Sequence, residues 1–116
     1  MTVHKRWIDL KAIGHIETIR TLPTDIVRIA LRTTGKLILI DFNKAISIHS
    51  EALLWIEQLS ALAESRDIKV RIIARKGTSA NKLLKLMRYH KFVTIVDDVV
   101  EALQENTLKN FSSETK

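Results

Sequence analysis

The chain has 116 residues, a net charge of +6 and no cysteine. That length suits one ordinary domain, and the missing thiols exclude disulfides and thiolate zinc sites. No apolar run approaches the roughly 20 residues of a membrane helix, and the basic start at residues 1–7 is not followed by the apolar stretch of a secretory signal, so a cytoplasmic protein without membrane insertion is expected.

Residues 7–13 alternate imperfectly, which predicts one or two short strands. Thr21-Leu22-Pro23-Thr24 reads as a helix start, because proline's missing N–H costs nothing in a first turn. Ile26, Ile29, Ala30 and Thr33 then recur at helical spacing, up to a stop at Gly35. Residues 36–42, Lys-Leu-Ile-Leu-Ile-Asp-Phe, have the short continuous apolar character of a strand covered on both faces. Residues 47–50 read as a loop. Residues 51–65 predict a helix whose inward stripe is Leu53, Ile56, Leu59, Ser60 and Ala63.

Residues 70–74 form a second covered-strand pattern. Gly77-Thr78-Ser79-Ala80 opens another helix, with Leu83, Leu84, Leu86 and Met87 following on it and Lys82, Lys85 and Arg88 spaced along another face. Residues 92–96 predict a third strand. Asp98 and Glu101 have capping-box spacing for a last helix packed through Val99, Ala102 and Leu103. Alternating strands and helices predict an α/β fold: one domain over residues 1–104, with a small, mostly parallel central sheet and flanking helices. Residues 105–116 are polar and predicted to be an unstructured tail.

Charge is unevenly placed. Between residues 69 and 91 stand Lys69, Arg71, Arg75, Lys76, Lys82, Lys85, Arg88 and Lys91, with no acidic residue, so the remainder of the chain is net negative. Such a field suits an acidic or phosphorylated partner, nucleic acid bound through the Lys69–Lys91 segment, or a solvated face with no partner. The patch centres on Lys76, Lys82, Lys85 and Arg88. Tyr89 and Phe92 lie near it, but no nucleic-acid reading motif accompanies them.

The chain offers no catalytic constellation. His4, His15, His49 and His90 lack metal-ligand spacing. His49 beside Ser50 is not a hydrolase pair, since no orienting carboxylate is evident. Gly77-Thr78-Ser79 lacks the Gly-Lys-Ser/Thr ending of a phosphate-cradling loop. Asp41 at a strand end is what a receiver domain would phosphorylate, but Asp9 and Glu17 do not form the adjacent acidic pair that holds magnesium there. No enzyme activity, cofactor or metal is expected.

The order of elements between Leu37 and Leu103 resembles the STAS domain, the fold of bacterial anti-sigma factor antagonists. In that family a strand ending in Asp leads to an Asp-Ser-Ser/Thr-Gly motif that opens a helix. Here Asp41 resembles the strand-terminal Asp, His49-Ser50-Glu51-Ala52 occupies the motif, and Leu53 to Ile56 resembles the helix that follows. Leu84-Lys85-Leu86-Met87-Arg88-Tyr89 resembles the family's Leu-x-x-x-Gly-Leu, with Arg88 in place of Gly. Asp97-Asp98 and Glu101-Ala102-Leu103 resemble its closing segment, and Gly14-His15-Ile16-Glu17 the Gly-x-Leu-Asp turn before its first helix. Only Ser50 of the motif is retained, at the position matching the serine that the family phosphorylates.

The resemblance implies a regulatory module that binds a serine kinase of the anti-sigma type and is switched at Ser50. It also allows a constitutive small subunit of a membrane transporter, which the replaced Asp and Gly would suit. The implied contact surface is His49, Ser50, Glu51, Leu54 and Trp55. Two local readings stay open beside it. Ser50 is equally placed to cap the helix, and Leu54 with Trp55 is either an exposed interface pair or partly buried against a neighbouring helix.

Overall fold

The computed structural model describes residues 2–3, 7–17, 21–32, 37–91 and 93–103. Its elements in chain order are β1 (Thr2–Val3), β2 (Ile8–Lys11), β3 (Gly14–Ile16), α1 (Pro23–Arg32), β4 (Leu37–Asp41), β5 (Ala45–Ile48), α2 (Ser50–Ser65), β6 (Lys69–Ile73), α3 (Ser79–Leu86), a 3-10 turn (Tyr89–Lys91) and β7 (Thr94–Val96). A further helix, α4, covers residues 99–103. The predicted tail at 105–116 and the helix stop at Gly35 lie outside the described residues.

The five-stranded sheet runs β1-β2-β4-β6-β7, antiparallel only between β1 and β2. The fold is therefore α/β with a mostly parallel sheet, as predicted. Strand β4 lies at its centre, and its four apolar residues are all buried because both faces are covered. Alternation sends Ile38 and Ile40 to one face, beside Ile8, Val70 and Ile72, where α1, α2 and α3 close the larger core. Leu37 and Leu39 point the other way, towards Ile73, Val96 and Ala102 of α4. Asp9 and Arg71 pair in register with Leu39 from either side, and both are buried on that second face.

Two segments depart from the sequence reading. Residues 14–17 were expected as a turn and 47–50 as a loop. Instead, β3 and β5 pair in parallel as a separate two-stranded sheet, through Gly14 with Ala45, His15 with Ser47 and Ile16 with Ile48. Three or four residues carry too little pattern to announce a strand whose partner is 31 or 32 positions away. The register slips between Gly14 and His15, where Gly14 takes φ 82, a conformation that glycine adopts without a Cβ penalty.

The helices also differ in detail. Helix α2 begins at Ser50, and its cap is His49, whose Nδ1 accepts from the Glu51 N–H at 3.2 Å. Ser50 is therefore not the cap. In α3, Ala80, Asn81 and Leu84 are buried, but Leu86, its last residue, is 78% exposed and Met87 is also exposed. The third strand is shorter than predicted, and Phe92 lies outside the described residues. Glu101 N–H donates to Asp98 Oδ1 at 2.8 Å as the capping box requires, but the Glu101 carboxylate closes on the Asp97 N–H, one residue early, at 2.9 Å.

Candidate functional site

Strands β4, β6 and β7 all finish at one edge of the sheet, and the loops that leave them lead into β5 and α2, into α3 and into α4. In open parallel sheets this edge is where loops are free to carry function. Here the loops are laced together by side chains. Asp41 Oδ1 accepts from the Asn43 N–H at 2.9 Å. Asn43 then bridges both neighbouring loops: its Nδ2 donates to the Asp97 carbonyl at 2.9 Å, and its Oδ1 accepts from the Arg75 N–H at 2.8 Å. Asp97 Oδ1 accepts from the Lys76 N–H at 3.0 Å. Asn81, buried, donates from Nδ2 to the Ala74 carbonyl at 2.7 Å and fixes the start of α3 beneath the loop. Gly77 makes that loop possible by adopting φ 91.

The lacing gives Asp41 a structural task. Its carboxylate closes a turn, and its register neighbours are Lys11 and Ile73. Among the described residues no group of three or more His, Asp or Glu is arranged to hold a metal ion.

On this rigid edge α2 presents its first turn. His49, Ser50 and Glu51 are all exposed. Leu54 lies one turn beyond Ser50 on the same helical face and is 56% exposed. Ile46, on the strand leading into α2, is 63% exposed. Trp55 parts from Leu54: the burial reading holds for it, at only 7% exposed, and it drops out of the expected contact surface. Its indole Nε1 donates to the Thr21 carbonyl at 2.7 Å, tying α2 to the entrance of α1. The buried face of α2 is wider than the predicted stripe and takes in Ala52 and Trp55, which precede Ile56 and Leu59 at helical spacing.

The predicted basic residues Lys76, Lys82, Lys85 and Arg88 are all exposed. Lys82 and Lys85 sit on α3, which packs on β5 and so lies beside the strand that feeds the α2 tip. Helix α3 is capped by Thr78, whose Oγ1 accepts from the Asn81 N–H at 3.2 Å and donates to the Arg75 carbonyl at 2.7 Å. Sequence reasoning missed Asn43, Asp97 and Asn81 as the residues that hold the edge together. An Asn two places after a buried strand is the signal that could have found the first, since Asn favours turns by bonding to nearby backbone.

In comparison with known proteins, no family model matches the chain, and no curated protein matches it. Among the described residues no helix is long and apolar enough to cross a membrane.

Proposed function

We propose that the protein is a non-enzymatic docking module of the anti-sigma-factor-antagonist type, a STAS-like domain that meets a serine kinase or anti-sigma partner in the cytoplasm through the tip of α2. The observation that carries this reading is a hydroxyl set among apolar side chains turned to solvent. Ser50 opens the helix, with Leu54 one turn along and Ile46 on the strand before it, all exposed. A partner that covers Leu54 and Ile46 removes apolar area from water, which favours association by about 25 cal/mol per Å² before the costs of binding. The loops beneath the tip are held by the Asn43 and Asp97 bonds, so docking orders little that is not already ordered.

Ser50 then works as the switch. A phosphate brings about −1.5 to −2 charges to a helix start, where free N–H groups and the helix dipole accommodate it. The same charge must be desolvated when the partner closes over Leu54, and binding weakens. Glu51 adds a permanent carboxylate in that turn. Incubation with an anti-sigma-type serine kinase and ATP is expected to add one phosphate to the wild type and none to Ser50→Ala, read by intact-mass spectrometry. Phosphate on another residue, or on none, removes the switch. Docking that is then insensitive to Ser50→Asp favours the constitutive transporter subunit.

A further inference from the structure

At the opposite end of α2 lies a cavity of about 610 Å³, bounded by the second half of that helix, the first residues of β6 and β7, and the 3-10 turn. Its volume falls in the usual range for small-molecule sites, roughly 300–1,000 Å³, and far exceeds what a lone ion requires. The walls differ in sign. One is formed by Glu57, Ser60 and Glu64 of α2, with Asp67 in the turn after it, and the other includes Lys69, His90 and Lys91, while Ile68, Val70 and Val93 supply apolar floor.

Of these groups, Glu64, His90, Lys91 and the Ser60 hydroxyl make no side-chain bond to the described residues. The Glu57 carboxylate is engaged by the Tyr89 hydroxyl. Glu64, His90 and Lys91, all exposed, have no side-chain hydrogen bond or ion pair with any described residue. The Ser60 hydroxyl is covered and takes no hydrogen-bond partner among the described residues, an arrangement that costs free energy until something supplies one. Two walls of opposite charge over an apolar floor match a ligand that carries both charges and a hydrocarbon portion.

We propose that this cavity binds a small zwitterion of the α-amino-acid or dipeptide class with an apolar side chain, its ammonium held by Glu64 and its carboxylate by Lys91 and His90. The site is separate from the Ser50 tip, and its occupancy does not depend on docking there.

Calorimetry with L-leucine and L-leucylglycine tests the proposal, alongside N-acetyl-L-leucine, which lacks the ammonium, and L-leucinamide, which lacks the carboxylate. At least one zwitterion is expected to bind. Each blocked analogue is expected to bind about tenfold or more weakly, the cost of one charge-assisted hydrogen bond. Glu64→Gln should weaken the zwitterion by a similar factor without altering N-acetyl-L-leucine, and Lys91→Gln should do the converse with L-leucinamide. Both side chains are exposed, so the variants should keep the wild-type unfolding temperature. Amide shifts on binding are expected at Glu64, Ile68 and His90 and not at Ser50. The proposal is overturned if neither zwitterion binds at millimolar concentration, if a blocked analogue binds as tightly as its parent, or if the shifts fall at the α2 tip instead.

Discussion

Arg88→Gly should make the protein more stable. Arg88 sits just past α3 with φ 64, in the left-handed region that L side chains enter at a cost of about 1–2 kcal/mol. The position cannot relax easily, because its N–H donates to the Lys85 carbonyl at 3.0 Å and its carbonyl accepts from the Lys91 N–H at 3.2 Å, which starts the 3-10 turn. Glycine keeps both bonds and removes the Cβ penalty. Against this stands the extra freedom of glycine in the unfolded chain, about 0.4–1 kcal/mol. The Arg88 side chain is exposed and contributes no hydrogen bond that would be lost. The net gain is about 0.5–1 kcal/mol, which for a domain of this size raises the midpoint by roughly 2–6 °C. Thermal and urea unfolding followed by circular dichroism measure it, with an unchanged urea slope expected. Arg88→Val, with a β-branched side chain in the same conformation, should move the other way. If glycine is neutral or harmful, or valine matches it, the turn is not strained as described.

Two further expectations concern α2 and its neighbours. Trp55→Phe keeps most of the packing but strands the Thr21 carbonyl, so a loss of about 1–3 kcal/mol is expected in urea unfolding; a loss within about 0.5 kcal/mol would place the indole outside the core. The hydroxyl of Tyr89 is pushed up to about 12, first by burial and then by the Glu57 carboxylate. Its native pKa thus lies above the unfolded 10.0, so the stability it contributes is complete below pH 10 and is lost as pH rises towards 12. Tyr89 is the single tyrosine of the chain, so its ultraviolet titration reads the site directly. Glu57→Gln should lower the midpoint, and an ordinary midpoint in the folded wild type would contradict the contact.

What could be read from the sequence was what periodicity and local chemistry encode. The run at residues 37–41 announced a doubly covered strand because each of its apolar residues has a layer to face. Helix α2 and the Asp98 cap were legible for the same local reasons. The β3–β5 pair was not, since the partners lie far apart in the chain and neither has a pattern of its own. Trp55 was left open between an interface and burial against a neighbouring helix, because its position on α2 is half-way between stripe and solvent. Only the arrival of Thr21 from α1 decides it. Leu86 and Met87, apolar and helical in spacing, are exposed where α3 ends. At the candidate site, exposure of Ser50 and Leu54 followed from helical phase, whereas His49 as the cap depended on a ring nitrogen standing in for the usual oxygen acceptor.

The central claim is that the first turn of α2 is a contact surface controlled by charge at Ser50. Its most direct test is the affinity of an anti-sigma-type serine kinase, measured by calorimetry for the wild type, Leu54→Asp and Ser50→Asp. Both substitutions place a carboxylate where the partner must exclude water, so each should weaken binding by about 2 kcal/mol or more, some thirtyfold, with little change in unfolding temperature. Equal affinity across the three proteins would mean that the partner docks elsewhere and that the α2 tip is only a solvated helix end.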